Sequence, residues 1–159
     1  MNYWLMKTEP STFGIDHLAK KPKKTAMWDG VRNYQARNML RDDFRKGDLA
    51  FIYHSSTDQT GIAGTMQVVR TAYPDPTQFD KKSDHYDAGA KRADPRWFVV
   101  DVQLKRRFKR VITLDELRKH ESDALDGMLL LKRGNRLSIT PVSDAHWRFI
   151  LSLVERESM

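Results

Sequence analysis

The segment Trp28-Asp29-Gly30-Val31-Arg32-Asn33-Tyr34-Gln35 places an indole, a guanidinium, two amides and a phenol along one short stretch. These groups can read a nucleobase: rings stack on its face, amides hydrogen-bond its edge, and an arginine holds a phosphate or an acceptor edge. A buried aromatic pair with a polar helix cap uses the same residue types, so both uses are open. Further polar groups stand where strands should end, at Tyr53-His54-Ser55, Tyr73-Pro74 and Arg136-Leu137-Ser138. Strand ends of a small barrel share a mouth. The candidate base-binding pocket therefore comprises Trp28, Arg32, Asn33, Gln35, Tyr53, His54, Ser55, Tyr73, Arg136 and Ser138. Ordinary turn chemistry is the alternative use of the strand-end groups.

Signatures of catalysis are missing. There is no Gly-rich phosphate loop, no G-x-G-x-x-G, no H-E-x-x-H and no G-x-S-x-G. The histidines His17, His54, His85, His120 and His146 form no close pair, and cysteine is absent, which excludes disulfides, thiolate zinc sites, Fe–S clusters and Cys nucleophiles. Asp42-Asp43 lies between Arg41 and Arg45, a pattern of surface ion pairs rather than an acid/base dyad. We expect no catalytic residue, no metal and no cofactor. A rival reading makes His54 the general base of an enzyme acting on a nucleotide or nucleic acid, with Arg32 or Arg136 on phosphate. A third is a small-molecule sensor with no nucleic-acid partner.

The elements that must position these groups follow from pattern. Tyr3-Trp4-Leu5-Met6 reads as a first strand ended by Glu9-Pro10, and a helix begins near Ile15. Lys20-Lys21-Pro22-Lys23-Lys24 breaks it into a solvated loop. Val31 to Phe44 is loosely helical, whereas Leu49 to His54 is a nearly continuous apolar strand with Gly61 to Val69 as its hairpin partner. Gly61 and Gly64 suggest a bulge or a close backbone approach. The polar stretch from Thr77 to Pro95 reads as a long loop. Trp97 to Leu104 is the clearest strand and continues into the basic run from Lys105 to Arg110. Thr113 and Glu116 form a capping box, Leu137 to Thr140 is a short strand, and a last helix carries Trp147, Ile150, Leu151 and Val154. Without repeated βαβ alternation, this order predicts an α+β fold with a curled, mostly antiparallel sheet flanked by helices.

The 159 residues are the length of one domain, with 28 Lys+Arg against 21 Asp+Glu and a net charge of +7. A positive surface favours nucleic acid or another polyanion as partner. No apolar run approaches the roughly 20 residues needed to cross a bilayer, and the N-terminus lacks signal-peptide order. These features predict a cytoplasmic protein with no membrane partner.

Several strings carry a resemblance: Tyr3-Trp4-Leu5-Met6-Lys7-Thr8-Glu9-Pro10, Trp28 through Asn38, Gly61-Ile62-Ala63-Gly64, Ala72-Tyr73-Pro74-Asp75-Pro76, and Arg136 through Val142. Together they make the sequence similar to the EVE-domain family of the PUA-like superfamily over nearly its whole length. Thr8 stands where the family often has Ser, which keeps the hydroxyl. The resemblance implies a single EVE domain over residues 1–159, folded as a PUA-like pseudobarrel related to YTH and ASCH domains. It implies a non-catalytic nucleic-acid-binding domain, for DNA or RNA, that accepts a modified, extruded base. A monomer is favoured. Its pocket segments fall on the candidates named above, and Lys7 and Thr8 are weaker candidates for the rim.

Overall fold

In the computed structural model, which describes residues 1–156, six strands form one mixed sheet. They are β1 (Tyr3–Thr8), β2 (Thr25–Met27), β3 (Leu49–His54), β4 (Gly61–Pro74), β5 (Phe98–Thr113) and β6 (Ile139–Val142). Their order across the sheet is β2-β5-β4-β3-β1-β6. All neighbours are antiparallel except β1 and β3, which run parallel with Tyr3 opposite Leu49 and Thr8 opposite His54. The sheet is open. Pro141 lies in the edge strand β6, where a missing N–H costs no ladder bond.

The apolar runs of β1 and β3 have no polar alternation because both sheet faces are covered. Trp4, Met6, Ala50 and Ile52 enter one core with Leu18, Trp28, Leu40 and Phe44. Leu5, Phe51 and Tyr53 enter a second core on the other face with Leu117, Leu125 and Ile150. There the indole of Trp147 stacks on Phe51, with centroids 3.9 Å apart, and on Tyr3 at 4.6 Å.

Five short helices flank the sheet: α1 (Pro10–Phe13), α2 (Ile15–Lys20), α3 (Tyr34–Asn38), α4 (Leu114–Arg118) and α5 (Asp144–Arg156). Thr113 caps α4 through its hydroxyl, which accepts from the Glu116 N–H at 3.2 Å. The expected helix from Val31 to Phe44 is cut down at both ends. Val31 to Asn33 is not helical, Asn33 is the N-cap, and after α3 the chain widens into a π-helical turn over Met39–Asp43. The lysine-rich segment is a tight turn with Lys23 and Lys24 in the left-handed region, and it leads directly into β2, a strand the sequence reading missed. The basic run from Lys105 to Arg110 belongs to β5 itself. Register shifts recur along the β4–β5 pair, and a Cβ at Gly61 or Gly64 would meet the β5 backbone at Ile112 and Arg106. No described helix is long and apolar enough to cross a membrane.

Candidate functional site

The parallel ends of β1 and β3 make the floor of a cavity of about 650 Å³. Alternation along β1 sends Met6 into the first core, and Thr8 follows it on the same side at the strand's exit. The Thr8 carbonyl accepts from the Ser55 N–H at 2.9 Å, while the Thr8 hydroxyl donates to the Phe13 carbonyl at 2.5 Å. On the other side the Lys7 N–H donates to the Ser138 carbonyl at 2.8 Å, which brings the Arg136–Ser138 approach to β6 alongside. The facing wall is the irregular run 27–33, pinned by the Trp28 N–H on the Val100 carbonyl at 2.9 Å. The indole packs edge-on against Phe13, with centroids 6.2 Å apart and planes at 90°. Trp28 is only 6% exposed, so it is a core residue whose edge borders the cavity rather than an open stacking platform.

The long polar loop closes the third side through one arginine. Arg32 donates from Nε and Nη2 to the His85 carbonyl at 3.2 and 2.7 Å, and from Nη2 to the Thr77 hydroxyl at 3.1 Å. Its Nη1 donates to the Val31 carbonyl and to Asp75 Oδ2, both at 3.0 Å. Every N–H of the guanidinium is thus committed within the protein, and Arg32 is a clamp rather than a free phosphate binder. Asp75 is fully buried and also accepts from the Gly30 N–H at 3.1 Å and from the Thr77 N–H and hydroxyl at 2.8 and 2.6 Å. Burial alone would raise its pKa, but the donors from Thr77, Gly30 and Arg32 outweigh it and hold the carboxyl below its ordinary value. The buried amide of Gln78 ties the loop back to the Asp75 and Trp97 carbonyls. The loop therefore presents Asp84 and His85 at the rim. Gly30, at φ +79°, lets His85 sit close: a Cβ there would lie 2.7 Å from the imidazole.

Of the residues predicted from sequence, Trp28, Arg32, Asn33, Ser55, Arg136 and Ser138 line this cavity, together with the rim candidates Lys7 and Thr8. Gln35, Tyr53, His54 and Tyr73 do not. Gln35 is exposed on α3. Tyr53 points to the opposite face of β3 and lies in the second core, because consecutive strand residues alternate sides. His54 Nε2 accepts the Ile15 N–H at 3.1 Å and holds the start of α2; burial depresses its pKa. Tyr73 lies along the β4–β5 pair with its hydroxyl 2.5 Å from Asp101 and the Arg70 guanidinium 3.7 Å above its ring. Desolvation and that carboxylate push its pKa up to about 12.

The sequence reading missed Phe13, Asp29, Gly30, Asp84 and His85. The Asp29-Gly30 pair was a turn signal; nothing local marked Asp84 or His85. Neither basic run borders the cavity. Three arginines of the second run face carboxylates instead: Arg110 on Glu116 at 2.5 Å, Arg106 near Glu155 at 3.9 Å, and Arg107 on Asp16. Besides the clamped Arg32, the cations at the cavity are Lys7, whose pKa burial lowers, and Arg136. Among the described residues no three His, Asp or Glu side chains gather to hold a metal ion.

The open, bulged α+β sheet is the EVE/PUA-like fold of a solved relative. The chain belongs to the EVE-domain family, whose model matches residues 2–153. It is 48% identical to mouse thymocyte nuclear protein 1 over 171 aligned positions, covering 98% of this chain and 75% of the relative. Among solved structures it resembles human THYN1 in complex with 5-methylcytosine-containing DNA, at 45% identity, 98% coverage of both chains and a TM-score of 0.92. A Pseudomonas syringae protein matches at 44% identity, 95% and 98% coverage and a TM-score of 0.89. An ASCH protein from Zymomonas mobilis, 10% identical over 96% of this chain and 99% of that one with a TM-score of 0.56, shares the fold alone. One expectation is overturned: the relatives are named nuclear proteins, which contradicts the cytoplasmic location read from the sequence.

Proposed function

We propose that this chain is a non-catalytic DNA-binding domain that takes one modified base, of the 5-methylcytosine class, into the cavity between Thr8, Trp28, Ser55 and Ser138. The observation that carries the reading is the match to human THYN1, a structure in complex with 5-methylcytosine-containing DNA, together with a cavity of about 650 Å³, within the usual size of small-ligand sites. The wall supplies an indole edge, the free Nδ2 donor of Asn33, whose Oδ1 accepts the Ala36 N–H at 3.0 Å, and two serines. Lys7 and Arg136 give the mouth positive charge for flanking phosphates.

The enzyme reading finds less support. His54 lies off the cavity with its acceptor nitrogen engaged by backbone, so it is not placed to take a proton from a ligand there. Titration of DNA oligonucleotides that differ by a single 5-methyl group tests the proposal. Burying one methyl is worth about 0.8 kcal/mol, or roughly a fourfold preference for the methylated strand. Binding should weaken as salt rises, and Ser55→Trp, which narrows the cavity, should remove the preference. Equal affinity for both oligonucleotides, or turnover of the bound strand, would overturn it.

A further inference from the structure

Asp29 lines the cavity next to Trp28, and among the described residues no other residue donates a hydrogen bond to its carboxylate. The polar groups around it are already committed. Asp75 accepts from Gly30, Thr77 and Arg32, and Arg32 has no N–H left to give. The backbone on either side of Asp29 is fixed, by the Trp28 N–H on Val100 and the Gly30 N–H on Asp75. The His85 ring packed against Gly30 limits movement further. A short side chain on a pinned backbone at the edge of a cavity that admits a base is a preorganised acceptor.

We propose that Asp29 selects the base, by accepting a hydrogen bond from an exocyclic amino group on its Watson–Crick edge. The inference rests on the proposed reading of the cavity as a base pocket and names its specificity. The cavity then takes an amino-pyrimidine such as 5-methylcytosine and rejects thymine, which carries the same methyl group but turns its O4 lone pairs toward the carboxylate. Two acceptors facing each other without a proton leave both desolvated and unpaired. Desolvation at the cavity, and after it the Asp75 carboxylate, raise the Asp29 pKa. An amino donor from a bound base relieves that unfavourable charge, whereas an oxo group adds to it.

The test compares two duplexes that differ at one position, 5-methylcytosine or thymine, each opposite an abasic site so that no pairing must be broken. Wild type should bind the 5-methylcytosine duplex about tenfold more tightly. Asp29→Asn can turn either its carbonyl or its NH2 to the base, so the ratio should collapse to within about threefold. Asp29→Ser should weaken 5-methylcytosine binding and strengthen thymine binding, because the facing carboxylate is gone and a hydroxyl can donate to O4. Melting temperatures close to wild type verify that both variants fold. A tenfold preference that survives in both variants overturns the role of Asp29 and leaves the base pocket standing. Wild type binding both duplexes equally well, but better than unmodified DNA, also overturns it. Wild type binding neither duplex better than unmodified DNA overturns the pocket reading itself.

Discussion

Arg32→Gln separates two uses of an arginine at a nucleic-acid site, because one use holds a loop and the other holds a phosphate. In the folded protein the side chain makes five hydrogen bonds, three of them to Thr77 and the His85 carbonyl across the cavity, and one to Asp75, whose side chain is 0% exposed. Removing the charge strands a buried carboxylate, a change that costs about 3–5 kcal/mol when nothing else compensates. Asp75 keeps its donors from Gly30 and Thr77, and the Arg32 side chain is 23% exposed, so the lower end, roughly 3 kcal/mol, is expected. At about 2–4 °C per kcal/mol for a chain of this size, the melting temperature should fall by about 6–12 °C. Amides of the 84–86 segment should lose protection from hydrogen exchange, and oligonucleotide affinity should drop with the loosened wall. The slope of log K against log salt should stay where it was, since no phosphate contact has gone. An unchanged melting temperature with a slope lower by about one would refute the clamp and make Arg32 a phosphate ligand.

Three other outcomes follow from the same geometry. Trp28→Ala should cost about 3–5 kcal/mol in urea unfolding, because the residue is 6% exposed and its loss leaves a cavity against Phe13; a cost below about 1 kcal/mol would return it to the role of an open platform. Gly30→Ala should destabilise by strain at φ +79°, about 1–2 kcal/mol, and by its clash with His85; adding His85→Ala should restore only the part due to the clash. His54 has a folded-state pKa below its ordinary value, so the unfolded chain binds the extra proton. Its contribution should be complete above about pH 6.5 and fade as pH falls below that, and His54→Gln should flatten this limb of the melting-temperature profile.

Much of the fold was legible because its signals are local. The continuous apolar run from Leu49 to His54 coincides with β3, and the Thr113 N-cap starts α4 where expected, although the Glu116 carboxylate pairs with Arg110 instead of closing the box. The Trp28–Asn33 segment was readable as base-reading chemistry before any contact was known, whereas Lys7 and Thr8 at the exit of β1 came only from the family resemblance. What failed were inferences that treat neighbours in sequence as neighbours in space. Tyr53, His54 and Ser55 are consecutive, yet alternation and the end of the strand send them to the second core, to α2 and to the cavity respectively. Asp84 and His85 have no periodicity to betray them, and long-range bonds from Arg32 and from the buried Gln78 amide bring them to the rim. The parallel pairing of β1 with β3 was equally invisible, since a parallel neighbour leaves no turn signature.

That parallel pair fixes when in the life of the chain the cavity can first exist. β1 sits between β3 and β6, so among the described residues the first strand in sequence is completed on one edge by the sixth, with Met6 opposite Ile139 and Tyr3 opposite Val142. Contacts so distant along the chain close late in folding, because the loop entropy between them must be overcome first. During synthesis the wall bearing Trp28 is made about a hundred residues before its counterpart carrying Arg136 and Ser138. If the cavity seats a base as proposed, recognition must wait until both walls have been made. On that reading, a chain released before β6 would carry the Trp28 wall without the β1–β6 pairing that sets its counterpart in place, and ligand binding should report whether translation ran past Val142.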